Sequence, residues 1–159
     1  MSKVFLSHSS LDKERITAIY TKLTSSLGSE SVIMDSFNFQ EGQHTESEII
    51  YNLEISDLFV IFLSGAALDS KWVQNELSIA SNKFKLSKDK LYQICPIIID
   101  DSVTYDDSRI PQWLKNSYNI QPIKSNKKIV DIILERVIEI TRDKHKKIKE
   151  RQDLFVGRN

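Results

Sequence analysis

The chain has 159 residues, 40% of them hydrophobic and 28% charged, with 22 basic side chains balancing 22 acidic ones. That length suits one domain with its own core rather than two, and the longest unbroken apolar run, Leu58 to Leu63, is far too short to span a bilayer. Met1 to Ser7 lacks the apolar stretch of a signal peptide, so no membrane partner and a cytoplasmic setting are expected.

Hydrophobic periodicity then switches repeatedly between short apolar runs and helical spacing. Val4-Phe5-Leu6 reads as a buried strand. Ile16, Ile19, Tyr20, Leu23 and Leu27 follow at i, i+3, i+4, i+7 and i+11, one stripe of a helix that Gly28 is suited to end. Val32-Ile33-Met34 is the second strand, followed by a polar segment from Asp35 to His44. A helix is expected from about Thr45, with Glu48 three residues on completing a capping box and with Ile49, Leu53 and Ile55 on its apolar side. Leu58 to Leu63 is apolar without alternation, as a central parallel strand covered on both faces requires.

Trp72, Leu77, Ile79, Ala80 and Phe84 indicate another helix, and Tyr92 to Ile99 a fourth strand in which Cys95 reads as a buried residue rather than a reactive thiol. A short helix around Ile110 to Leu114, a fifth strand around Tyr118 to Ile123, and a last helix carrying Ile129, Ile133, Val137 and Ile140 complete the chain.

This alternation predicts a flavodoxin-like, three-layer α/β domain with a five-stranded parallel sheet in the order 2-1-3-4-5. Ligands of such sheets bind beyond the carboxyl ends of the strands where the winding reverses, here between strands 1 and 3. Two segments meet there: Ser7 to Asp12, and Ser64 to Glu76. The four glycines, Gly28, Gly42, Gly65 and Gly157, match neither GxGxxG nor the phosphate loop, and His8, His44 and Cys95 have no metal-ligand spacing. Ser64 stands where a receiver domain needs a phosphorylatable aspartate, and the loop after strand 1 lacks the glycine of a flavin-phosphate loop. The crevice therefore offers hydroxyls, from Ser7, Ser9, Ser10 and Ser64, and the pair Trp72 and Glu76, one helical turn apart. Taken alone, that pair also fits a tryptophan packed on the core beside a surface glutamate.

In this setting Val4 to Asp12, Ser31 to Asp35 with its polar loop to Gly42, and Phe62 to Leu77 with Trp72-x-x-x-Glu76 together resemble three successive boxes of the Toll/interleukin-1 receptor (TIR) domains, in particular the bacterial, NAD-cleaving members. The resemblance spans about residues 3–140. It implies that Glu76 is the catalytic residue, that Trp72 lines the same pocket, that Ser7 and Ser9 border the substrate and that Asp35 is the acidic end of strand 2. It further implies an NAD+ nucleosidase that releases nicotinamide and ADP-ribose or its cyclic form, with NAD+ as substrate and no cofactor or metal, and with self-association through TIR–TIR contacts near Gly42. Residues 38–42, Asn-Phe-Gln-Glu-Gly, depart from the proline-containing loop usual in eukaryotic adaptors. The alternative of a different class is a non-catalytic TIR–TIR interaction module, against which the presence of Glu76 weighs.

The zero net charge conceals a split: residues 1–123 hold 11 basic and 16 acidic side chains, net −5, whereas residues 124–151 hold 10 and 5, net +5. No aromatic is interleaved in the basic stretch Arg142 to Arg151, so a solvated helix end or linker is expected there rather than a nucleic-acid surface. The expected division is thus a TIR domain over 1–141 and a basic helix end or linker over 142–159. Phe155-Val156-Gly157-Arg158 resembles the box that opens nucleotide-binding ATPase modules of the signal-transducing (STAND) kind, which implies an effector domain ahead of a downstream sensor in prokaryotic antiviral defence.

Overall fold

Parallel pairing of short apolar strands builds the frame on which every candidate residue is placed. The computed structural model describes residues 2–34, 46–87, 91–118 and 120–156. Strands β1 (Val4–Ser7), β2 (Val32–Met34), β3 (Leu58–Leu63) and β4 (Gln93–Ile98) alternate with helices α1 (Lys13–Leu27), α2 (Glu46–Ile55), α3 (Gly65–Asp69), α4 (Lys71–Leu86), α5 (Gln112–Ser117) and α6 (Asn126–Val156). The strands form one parallel sheet in the order β2-β1-β3-β4. Val4 lies opposite Val32 on one side and Leu58 on the other, and Ser7, the last residue of β1, lies opposite Ile61. The chain leaves β1 in one direction to β2 and returns past it to β3, so the winding reverses between β1 and β3 as the sequence requires.

Alternation of side chains along each strand divides the core in two. Phe5, Phe59, Ile61 and Leu63 face α2, α4 and α5, packing on Ile49, Leu53, Val73, Leu77, Ala80 and Leu114. Val4, Leu6, Leu58, Val60 and Phe62 face the opposite way, onto Ile16, Ile19 and Leu23 of α1 and Ile129, Ile133, Val137 and Ile140 of α6. Full burial of a side chain of this size contributes about 1.5–3 kcal/mol, which is why the short strands persist. Gly28 ends α1 with φ +91°, a value that strains any side chain, and its N–H closes on the Thr24 carbonyl at 2.8 Å. Cys95 is buried in β4, and burial pushes its thiol up to about 11.

The expected fifth strand is absent among the described residues; the sheet has four. What survives of it is one parallel bridge, Ile98 opposite Pro122, held by Ile123 N–H to the Ile98 carbonyl at 2.9 Å. The reason lies in β4. Gln93 and Ile99 donate toward the β3 side, so the even-numbered residues of β4 face outward, and one of these is Pro96, which has no N–H to offer a fifth strand. The outward Ile94 backbone is met instead by the Tyr118 hydroxyl, and Tyr118 is itself the residue that ends α5.

Two further departures are local. Gly65–Asp69 forms a separate short helix, because Ser64 accepts the Ala67 N–H at 3.0 Å. The short helix expected from Ile110 begins instead at Gln112, after Pro111 at its N-cap. The stretch from residue 142 continues α6 unbroken to Val156. The expected cap at Thr45 lies outside the described residues.

Arg15, which the sequence left without a role, reaches from α1 to the far side of the crevice. Its guanidinium donates to the carbonyls of Ile99 (2.6 Å), Lys124 (2.8 Å) and Ile123 (3.2 Å) and to Asn126 Oδ1 (3.0 Å). A fork of five donors is suited to gathering several carbonyls at once. It ties the end of β4 and the start of α6 to α1.

Candidate active site

The site is built where β1 and β3 end. On β1 the side chains of Phe5 and Ser7 share the face covered by α4. Ser70 caps that helix by accepting the Val73 N–H at 3.2 Å, and Gln74 Nε2 ties its first turn to the Leu68 carbonyl at 3.2 Å. The residues that α4 turns inward are Val73, Glu76, Leu77, Ala80 and Ser81, at i, i+3, i+4, i+7 and i+8. A glutamate therefore occupies a position of the apolar stripe. It is 1% exposed, and Ser7 Oγ donates to its Oε1 at 2.8 Å.

Burying a carboxylate is costly unless it is hydrogen-bonded, so the Ser7 contact is part of what makes the position tolerable. Trp72, one turn earlier, is 41% exposed and stands outside both core clusters. The arrangement is the reverse of a core tryptophan beside a surface glutamate: the acid is inside and the ring is at the surface.

Ser9 is buried and serves the loop itself, its Oγ accepting the Leu11 N–H at 3.2 Å to cap the 3-10 turn Ser10–Asp12. That turn is linked to β3 by Ser64 Oγ, which donates to Asp12 Oδ2 at 2.5 Å while capping α3. Ser10 is exposed. On the β4 side, Asp100 Oδ2 accepts the Gly65 N–H at 3.2 Å and its Oδ1 the Ser102 N–H at 3.0 Å, backbone bonds that hold its carboxyl below the usual range. Arg109 bridges Asp69 and Asp107 at 3.2 and 3.0 Å, and its hydrogen bonds bring Asp107 down to about 2.

The crevice thus brings together Ser7, Glu76 and, one turn along α4, Trp72; it places Ser9 in the neighbouring turn. Asp35 and the loop around Gly42 lie outside the described residues. Asp12, Ser64, Asp100 and Arg109 lock the loops that carry the site; the sequence placed Asp12 and Ser64 at the crevice without this role and gave Asp100 and Arg109 none. The sequence singled out Glu76 but left its burial open; the signal for that burial was present, since Val73, Leu77 and Ala80 define the stripe it interrupts. Among the described residues no three His, Cys, Asp or Glu side chains converge as metal ligands, and no helix is long and apolar enough to cross a membrane.

A parallel α/β sheet with helices on both faces and a polar site at the switch point defines a flavodoxin-like domain, a class shared by several unrelated functions. Comparison with known proteins narrows it. The TIR domain family matches residues 4–137, and the chain belongs to that family. No curated protein matches it significantly, whereas 34 chains of solved structures do. One is the TIR domain of the Toll-related Receptor TRR-2 from the lower metazoan Hydra magnipapillata, with a TM-score of 0.61 and 16% identity over 89% of this chain and 99% of that one. At that identity the likeness speaks for the fold alone.

Proposed function

We propose that this TIR domain is an NAD+ hydrolase that cleaves the bond between nicotinamide and ribose, with Glu76 as its catalytic residue. The observation that carries the reading is Glu76 itself: a carboxylate held in an apolar stripe, at the end of β1, by a buried serine. A module that only docks onto other TIR domains gains nothing from a charge there, and an apolar residue of similar volume would be at least as stable.

One carboxylate is chemically sufficient. Most glycosidases need a second carboxyl group to protonate a poor oxygen leaving group. In NAD+ the leaving pyridinium already carries a positive charge and departs neutral. What remains is an oxocarbenium-like ribose, which a fixed anion stabilises best from a site with little water. Glu76 supplies that anion and can accept hydrogen bonds from the ribose hydroxyls, while the exposed ring of Trp72 offers a flat apolar surface to the substrate. Attack by water gives ADP-ribose; attack by an oxygen or nitrogen of the same molecule gives a cyclic product.

TIR domains associate with one another, and in this proposal assembly completes the site, so nicotinamide release rises faster than linearly with protein concentration. The resemblance of residues 155–158 to the opening of a STAND ATPase supports a downstream sensor whose oligomerisation switches on NAD+ depletion in prokaryotic antiviral defence. The test is incubation of the concentrated domain with NAD+ and chromatography of the products. Nicotinamide appearing with ADP-ribose or a cyclic isomer supports the reading; intact NAD+ at every concentration, with TIR–TIR association still measurable, assigns the domain to the interaction class instead.

A further inference from the structure

We infer that Ser7 is the positioning residue of this site: its hydroxyl aims the Glu76 carboxylate at the substrate rather than meeting the substrate itself. The inference rests on the proposed NAD+ cleavage for its kinetic consequence, but its geometry stands apart from any activity.

Ser7 is 1% exposed and closes a strand whose other three residues, Val4, Phe5 and Leu6, are fully buried and apolar. A hydroxyl at such a position is a cost to folding unless it is used. It has one proton, and that proton is directed at Glu76 Oε1, 2.8 Å away and itself buried. The backbone that carries the donor is anchored, because β1 is paired on both sides and Ser7 is held in register opposite Ile61.

The acceptor, by contrast, ends a side chain with three rotatable bonds. Val73, Leu77 and Ala80, buried on the same helix, have apolar side chains with no hydrogen-bonding group. A charge-assisted hydrogen bond from a residue of the paired strand fixes the direction of Oε1. A carboxylate that must face a developing positive charge works only when its orientation is fixed before the substrate arrives. Ser9, by comparison, spends its hydroxyl oxygen on the Leu11 N–H and is spoken for by its own turn.

The kinetic test compares wild type, Ser7→Ala and Ser7→Thr, with Glu76→Gln as the inactive reference. Losing the aim without losing the anion lowers kcat by about ten- to a hundredfold while KM stays within roughly twofold, and Ser7→Thr, which keeps the hydroxyl, restores kcat to within about fivefold of wild type. Ser7→Ala with wild-type kcat overturns the inference; so does a loss that falls on KM, which makes Ser7 a substrate contact, or a loss that a folded Ser7→Thr leaves unrepaired. A crystal structure of Ser7→Ala provides the arm that needs no activity: the carboxylate of Glu76 is expected to leave its position beside the end of β1. If wild type releases no nicotinamide, the proposed function fails, and the structure alone then decides: an unmoved carboxylate overturns the positioning role and a displaced one upholds it.

Discussion

At the scale of single residues, the site inverts the usual placement of charge and ring. Glu76 is buried, and Trp72, on the turn before it, is 41% exposed. Because Trp72 lies outside both core clusters, Trp72→Ala should lower the melting temperature by no more than about 2–4 °C while raising KM for NAD+; a larger loss of stability with unchanged KM would return the ring to a structural role. The sequence carried this inversion only in part. Four-residue spacing set Trp72 and Glu76 on one side of a helix, but which of the two faced the sheet depended on Val73, Leu77 and Ala80, whose stripe runs through Glu76 and passes beside Trp72. Ser7 was legible as a hydroxyl at the crevice. Its direction was not, because only the parallel register of β1 with β3 and the seating of α4 bring it to the carboxylate.

At the scale of elements, the loops around the crevice are held by polar clamps between segments far apart in sequence. Arg15 gathers three carbonyls and Asn126 at the junction of β4 and α6. Its replacement in Arg15→Met leaves those acceptors to water and is expected to cost about 2 kcal/mol, a fall of roughly 4–8 °C in thermal unfolding. Lys83 of α4 does comparable work at the other end of the sheet, donating to the carbonyls of Leu53, Glu54 and Ser56 at the end of α2, at 2.9, 2.6 and 2.5 Å, and lying 4.2 Å from the centre of the Tyr92 ring. Burial is the main cause that lowers its pKa.

The Asp69–Arg109–Asp107 bridge fastens the loop after β4 to α3. Asp107 titrates near 2, below an ordinary aspartate, so the stabilisation it provides is complete above about pH 4 and is lost as pH falls toward 2. Melting curves of wild type and Asp107→Asn should therefore differ at pH 5 and converge by about pH 2; a gap that persists in acid would assign the effect to something other than the charge. Periodicity placed strands 1 to 4 and the main helices between them, though not the short helix Gly65–Asp69, since burial on two faces demands unbroken apolar runs. It overextended the fifth strand because Tyr118, Ile120 and Ile123 have strand-like chemistry, whereas the outcome was decided by Pro96 on the neighbouring strand.

For the whole molecule, the basic excess of the carboxyl-terminal part falls on α6, a helix of 31 residues and about 46 Å. Among the described side chains its last fully buried residue is Ile140, and beyond that Lys144 pairs with Asp57. Ending the chain after Ile148 is thus expected to leave the melting temperature within about 2 °C of the full chain; a large fall would show that the remaining turns pack on the domain. A cavity of about 750 Å³ between the end of α1 and α6 is lined by Ser2 ahead of β1, at the opposite end of the sheet from Glu76. Fold and candidate site thus meet in one place, the switch point between β1 and β3. The direct test of the account is nicotinamide release from NAD+ by concentrated wild-type protein and by Glu76→Gln, measured beside their melting curves. The account predicts release by wild type, a fall on the order of a thousandfold in the variant and a fold that remains intact; equal rates for two folded proteins would contradict it.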